Sequence, residues 1–278
     1  MAGKTRCADL DYSLAGAAAL EQAHIDEHLY GVYTRGYSVV PDFLEPRLCR
    51  LLRQRLTAAL DTYVPRHNER SVLERHLLHD LLCRDIAFGR LLEDPRLQQL
   101  VAPLLGEHWI MYAFTSSSLP PRESNYGRRL HIDSPRFAPG YNFNIGLIWA
   151  LDAFSVDNGG TEVLPGSHHS AATPQPHYFE RNLAQITCAP GSLILFHARL
   201  FHRSGFNRAD DWRHALTMNC CRSFMKQRMD WVRFVPVGIA DRLNPQARRL
   251  IGYDTRLPAS LDELFLPDEQ RLYKPNQG

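Results

Sequence analysis

His131-Ile132-Asp133 is the stretch on which the reading of this chain turns, and its counterpart lies far downstream in Leu200-Phe201-His202-Arg203-Ser204-Gly205. In a β-strand successive side chains alternate faces, so His131 and Asp133 point the same way and can share one ion. Two imidazoles and one carboxylate converging on one face of a metal form the donor set of non-haem Fe(II) oxygenases. His202, from a separate strand folded alongside, would complete it. A His-x-Asp pair by itself says little in a chain with 13 histidines. What strengthens it is the sequence after His202, where Ser204 follows and then Arg213, inside Trp212-Arg213-His214-Ala215-Leu216-Thr217.

If residues 202–206 and 213–221 are neighbouring strands joined by the polar turn Asn207-Arg208-Ala209-Asp210-Asp211, Arg213 reaches back beside His202. A guanidinium there offers a rigid fork of donors that matches a carboxylate and stays charged at any working pH. That suits a dicarboxylate co-substrate such as 2-oxoglutarate. Its 2-oxo group and adjacent carboxylate would chelate iron, and its far carboxylate would rest on Arg213 with a hydroxyl from Ser204 or Thr161. One metal position is then left for dioxygen.

Three further stretches carry a family resemblance: Gly36-Tyr37-Ser38-Val39-Val40-Pro41-Asp42-Phe43-Leu44, Asp157-Asn158-Gly159-Gly160-Thr161-Glu162-Val163-Leu164-Pro165-Gly166-Ser167-His168, and Cys188-Ala189-Pro190-Gly191-Ser192-Leu193-Ile194-Leu195-Phe196. With the His131 and His202 segments, they make the chain resemble the phytanoyl-CoA dioxygenase (PhyH) family of Fe(II)/2-oxoglutarate-dependent oxygenases. The resemblance implies that His131, Asp133 and His202 are catalytic iron ligands, that Arg213, Ser204 and Thr161 contact 2-oxoglutarate, and that Trp149 walls the co-substrate pocket. It also implies oxidation of a C–H bond of a small molecule, most simply a hydroxylation in specialised metabolism, with release of succinate and carbon dioxide. An intact Asp133 speaks against halogenation, because in related halogenases a small residue takes that position. The departures lie in the loops, notably His197 and Arg199, and they leave the substrate open. Two readings of another class remain: a metal-binding module without turnover, which the full set of ligands and Arg213 argues against, and a zinc-dependent hydrolase, which has no need of an arginine clamp.

Composition agrees with a soluble intracellular enzyme and adds little more. Hydrophobic residues make up 44% of the 278, ample for a core, and the formal charge of +2 gives no basic bias toward nucleic acid. The six cysteines lack the spacing of a disulfide framework or of a zinc site. Cys220 and Cys221, adjacent in an expected strand, read as packing residues. Lys4 and Arg6 precede no apolar run of signal-peptide length, and Ala15 to Leu20 is too short to span a bilayer, so the expected compartment is the cytoplasm with no membrane contact. Nothing in the sequence fixes an oligomeric state.

Helical patterning is expected at 17–34, from Glu45-Pro46 through Leu48, Leu52, Leu56 and Tyr63, at 71–92, and at 95–105 with Gly106 as the stop. A short strand covers 36–40. From residue 108 onward the texture changes to short runs at 109–116, 128–133, 143–151, 161–164, 185–188, 192–196, 200–203 and 213–223, separated by Gly, Pro, Asn and Asp. The expected class is mainly β with flanking α-helices, a two-sheet sandwich or barrel. The resemblance implies its jelly-roll (double-stranded β-helix) form. One domain over residues 1–278 is expected, with helical support to about 106, a core over about 107–225 and a C-terminal extension. Loops at 66–70, 120–128, 134–142 and 168–182 are the expected substrate-facing elements, with Arg128, Arg129, Tyr141 and Asn144 as candidates. His24 and His28 read as an exposed helical pair, His168-His169 as structural, and His197 as a lesser rival to His202.

Overall fold

Proline and acidic caps set where the helices of the N-terminal half begin. Pro46 opens α2 (Pro46–Asp61) at a position where its missing N–H costs nothing, and Asp94 caps α6 (Pro95–Leu105) by accepting from the Arg96 amide. Gly36, in the left-handed conformation at φ 91°, ends α1 (Gln22–Arg35) and turns the chain straight into β1 (Tyr37–Val40). This computed structural model describes residues 13–253 and 257–271; Lys4, Arg6 and Cys7 lie outside the described residues.

The single helix expected over 71–92 is instead three short ones: α3 (Glu69–Leu73), α4 (Leu81–Arg84) and α5 (Ile86–Arg90). Two local events break it. The Leu78 amide donates to Ser116 Oγ at 2.8 Å and the Ser116 amide to the Leu78 carbonyl at 3.0 Å, which pins the chain to the end of a strand. Asp85, extended at ψ 137°, then accepts from the Ala87 amide and starts a fresh helix.

The remaining strands are β2 (Ile110–Ser116), β3 (Asn144–Ala150), β4 (Glu162–Val163), β5 (Ala184–Gln185), β6 (Leu193–His197), β7 (His202–Arg203) and β8 (Ala215–Cys221), with α7 (Pro176–Asn182) between β4 and β5. They form a five-stranded sheet in the order β1-β6-β3-β8-β2 and a three-stranded sheet in the order β5-β4-β7, with antiparallel pairing throughout. The architecture is thus a mixture of helices and antiparallel sheets. Residues 128–133 form no strand; His131 makes only an isolated antiparallel bridge, to His202. Nor are the segments after His202 and Arg213 neighbouring strands, because β7 pairs with β4 in the small sheet while β8 lies between β3 and β2 in the large one.

The large sheet has two different faces. Ile145, Leu147 and Trp149 of β3, with Leu193, Leu195, Leu216 and Met218, join Leu48, Leu52 and Leu56 of α2 and Leu97, Leu100 and Leu104 of α6 in the main core. Ile148, Ala150, Ile194, Phe196 and Ala215 face the other way and pack with Val163 of the small sheet. The period-2 alternation of a strand is what lets one segment serve both. The C-terminal helices α8 (Trp231–Phe234), α9 (Val237–Ala240) and α10 (Pro245–Leu250) add Trp231, Ala240, Ala247 and Leu250 to the main core, and α11 (Leu261–Leu264) follows. Among the described residues no helix is long and apolar enough to cross a membrane.

Candidate metal centre

The space between the two sheets opens on His131, Asp133 and His202. Each can offer one ligand atom, and these atoms all lie within 4.8 Å of one another; among the described residues no other such group of His, Cys, Asp or Glu occurs. Asp133 Oδ1 is 3.6 Å from His131 Nε2 and 4.0 Å from His202 Nε2. The bridge between residues 131 and 202 brings the imidazoles together, through reciprocal backbone bonds of 3.1 and 3.0 Å, and leaves their rings 4.3 Å apart. Both rings are turned the same way. His131 Nδ1 lies 2.6 Å from the Arg129 carbonyl and His202 Nδ1 2.9 Å from the Leu200 carbonyl, so each Nδ1 carries its proton and each Nε2 presents a lone pair inward. Burial lowers the pKa of His202, against a raising influence from Asp133, and so favours the neutral form in which imidazole ligates. This donor set fits a divalent transition metal.

The rest of the wall follows from strand register. Gly146 has no Cβ, and one built there would stand 2.0 Å from the ring of Phe196 on the neighbouring strand. The end of the Phe196 ring therefore occupies the space over Gly146, and the ring meets His202 edge-on, with ring centroids 5.1 Å apart. Phe196, Ile148, Leu130, Thr161, Ser204, Ser117 and Thr217 line a cavity of about 370 Å³ that includes all three candidate ligands. Its outer part carries Arg70, Glu74, His79, Arg129 and Arg228 and adjoins a second cavity of about 260 Å³. Glu74 accepts from Arg70 Nε at 2.7 Å and pairs with His79 Nε2 at 2.8 Å, and its pKa is lowered: burial raises it, but these two partners outweigh that effect.

Arg213 sits behind the Ser117 side of this cavity, 1% exposed. Its Nη1 donates to the Ser117 carbonyl at 3.2 Å and its Nη2 to the Gly159 carbonyl at 3.1 Å, while Nε is buried without a partner. The guanidinium lies 4.3 Å from the centre of the Phe154 ring. Burial brings its pKa down to about 10, partly offset by Asp152, and it remains a cation at neutral pH. A buried guanidinium that hydrogen-bonds two carbonyls among the described residues, with one donor idle, is an electrostatically costly arrangement.

The structure thus gathers His131, Asp133, His202, Thr161 and Ser204 around one cavity and sets Arg213 next to it. Trp149 is not among the residues that line this cavity. It packs edge-on against Phe114 in the core between sheet and helices, and its neighbour Ile148 is the β3 residue that faces the cavity. Of the loop candidates, Arg129 lines the cavity, Arg128 is bound to Glu162 at 2.9 Å, and Tyr141 lies under Arg222 in another cavity. Asn144 is not in a loop: it opens β3, buried, and donates to Asn219 Oδ1 at 2.8 Å. His197 stacks near His168 rather than on the ligand group, and burial takes their pKa values down to about 3 and about 4. His28 bonds Ser38 Oγ at 2.9 Å, a structural contact. Residue-by-residue reading missed Phe196, Asn219 and the Arg70–Glu74–His79 group. Only strand parity could have pointed to the first two.

Comparison with known proteins gives a consistent picture. The family model of phytanoyl-CoA dioxygenase (PhyH) matches residues 32–215, a span that holds all three candidate ligands and Arg213. An uncharacterized protein of Mycobacterium tuberculosis is 31% identical over 251 residues, 87% of this chain and 92% of that one. The dioxygenase cdmA of Talaromyces verruculosus is 25% identical over 258 residues, 85% of this chain and 86% of its own. Among solved structures, the epimerase SnoN, in complex with Fe3+, alpha ketoglutarate and nogalamycin RO, is similar in fold, with a TM-score of 0.58 at 18% identity over 72% of this chain and 84% of that one.

Proposed function

Since the chain belongs to the phytanoyl-CoA dioxygenase (PhyH) family of dioxygenases, we propose that it is an Fe(II)- and 2-oxoglutarate-dependent oxygenase that oxidises a C–H bond of a small molecule, with hydroxylation as its simplest outcome. The observation that carries this reading is the pairing of two inward Nε2 atoms and one carboxylate with a buried arginine that hydrogen-bonds backbone carbonyls next to the same cavity. A metal site alone would suit a zinc hydrolase or a binding module, and neither gives Arg213 a purpose.

His131, Asp133 and His202 would hold Fe(II) on one face. Arg213 would take the distal carboxylate of 2-oxoglutarate, with the hydroxyls of Thr161 and Ser204 beside it. Bound iron with 2-oxoglutarate and dioxygen supplies the oxidising chemistry, with succinate and carbon dioxide as co-products. The chain's own work is placement and exclusion of water. Phe196, Ile148 and Leu130 give the inner cavity an apolar lining next to His202. At the outer part, Glu74 is committed to Arg70 and His79, whereas Arg129 and Arg228 have no acidic partner among the described residues, which favours a substrate bearing an anionic group. The reading also makes the two sheets the halves of a jelly roll in a single cytoplasmic domain, in keeping with the fold likeness to SnoN.

Anaerobic addition of Fe(II) and then 2-oxoglutarate should produce a visible metal-to-ligand charge-transfer band, and admission of dioxygen should release succinate. A protein that binds zinc in preference, gives no band and forms no succinate would refute the proposal.

A further inference from the structure

We infer that Asn219, oriented by Asn144, is a positioning residue that keeps Asp133 a one-oxygen ligand. This rests on the metal reading above and assigns a role to two buried amides outside the ligand set. Asp133 has two carboxylate oxygens in different surroundings: Oδ1 faces both candidate histidines, and Oδ2 accepts from Asn219 Nδ2 at 3.3 Å. An oxygen engaged by that amide would be turned away from a bound metal, and Asp133 would then fill one coordination position rather than two. Three protein ligands, two atoms of 2-oxoglutarate and one dioxygen together make six, so a second carboxylate oxygen on the metal would occupy a place a reactant needs.

The amide of Asn219 has to point one way for this to hold. An asparagine carries a donor end and an acceptor end of nearly equal size, and the surroundings decide which faces where. Here Asn144 Nδ2 donates to Asn219 Oδ1 at 2.8 Å, which occupies the acceptor end and leaves Nδ2 for Asp133. Register explains how the two meet: Asn219 is opposite Gly146 and Asn144 opposite Cys221 on the β3–β8 pair, so the two asparagines are diagonal neighbours on the inward face. Asn144 is 4% and Asn219 8% exposed, so water does not compete freely for either amide. The chain Asn144–Asn219–Asp133 is a directed line of hydrogen bonds that begins on a strand of the rigid sheet and ends at the ligand.

Asn219→Leu removes the donor at nearly constant volume. Asn144→Leu is subtler: a leucine at 144 has no donor for Asn219 Oδ1 in any protonation state, so the bond that orients the Asn219 amide toward Asp133 is lost while Asn219 itself is kept. Residue 144 is outside the ligand set, which separates this effect from direct loss of a ligand. The test is titration of Co(II) into the anaerobic metal-free protein, with the d–d spectrum at saturation and the melting temperature of the metal-free form recorded for each variant. Each variant should weaken Co(II) by about tenfold or more and change the d–d spectrum at saturation, and the double variant should lose no more than the worse single one, because both act through the same bond. Wild-type affinity and spectrum in either folded single variant would overturn the inference, as would losses that multiply in the double variant. If the wild-type protein bound Co(II) without any 2-oxoglutarate response, the oxygenase reading would fail while the role of Asn219 would still be decided by the affinities.

Discussion

Arg213 is a buried cation whose hydrogen-bond partners among the described residues are two backbone carbonyls, and its Nε has none. Removing one partner of a buried charge-assisted pair costs roughly 3–5 kcal/mol, and about 1.4 kcal/mol is a factor of ten in affinity. Arg213→Ala should therefore weaken 2-oxoglutarate at least about a hundredfold with Fe(II) affinity nearly unchanged, as read from the charge-transfer absorbance in an anaerobic titration. Arg213→Lys should recover part of the loss, since it keeps the charge but not the fork. Unaltered 2-oxoglutarate affinity in Arg213→Ala would move the anchor to another cation. His131, Asp133, His202 and Arg213 stand out in the sequence as a set and not singly: a His-x-Asp pair with a distant His and an Arg eleven residues on has few other uses, the structure brings the first three within 4.8 Å, and their roles are what we propose. Asn219 could not. A buried asparagine in a strand announces nothing until its amide is seen on Asp133.

Strand β3 shows why side-chain identity and side-chain direction must be read separately. That residues 143–151 form a strand is legible from an apolar run, yet neither its neighbours nor the parity of the run is, and Trp149, expected to wall the pocket, stands at an odd position that faces the helices. Trp149→Phe should accordingly lower stability by about 1–2 kcal/mol, within the usual range for core substitutions, and leave 2-oxoglutarate affinity as it is. Denaturant unfolding and the same anaerobic titration check the two halves of this statement. Gly146→Ala acts on the opposite face. The added methyl would collide with Phe196, and overpacking of this kind costs roughly 1–3 kcal/mol; because Phe196 rests against His202, metal affinity should fall with it. A stable variant with unchanged metal binding would show that Phe196 has room to give. The broken helix between residues 69 and 90 has a similar lesson: helical spacing was present, but the hydrogen bonds of Leu78 to Ser116 belong to tertiary pairing that no local pattern encodes.

At the scale of the molecule, buried neutral histidines set the response to acid. Burial takes His168 and His214 down to about 4 and His197 to about 3, whereas the unfolded chain takes up the same protons near the ordinary histidine value of 6.5. Below that value the unfolded state binds more protons than the folded one, so stability falls as pH drops through the window from 6.5 to about 3. For His197 alone the loss at pH 5 relative to pH 7 is about 2 kcal/mol on the linkage relation. Melting temperatures between pH 7 and pH 5 should decline, and His197→Gln should decline less steeply. A second molecule-wide property follows from the bridge between His131 and His202. These residues stand about 70 positions apart, so an ion held by both would be a removable stitch that closes a long loop, and in the chain-entropy picture long closures are the ones that matter most. The segment from 118 to 142 leaves the large sheet at β2 and rejoins it at β3, with exposed Arg136 just past the stitched point. Chelation should therefore unpick that seam and quicken tryptic cutting after Arg136, while added Fe(II) slows it, so that a protease would report the loading of the centre on a chain that has not turned over once.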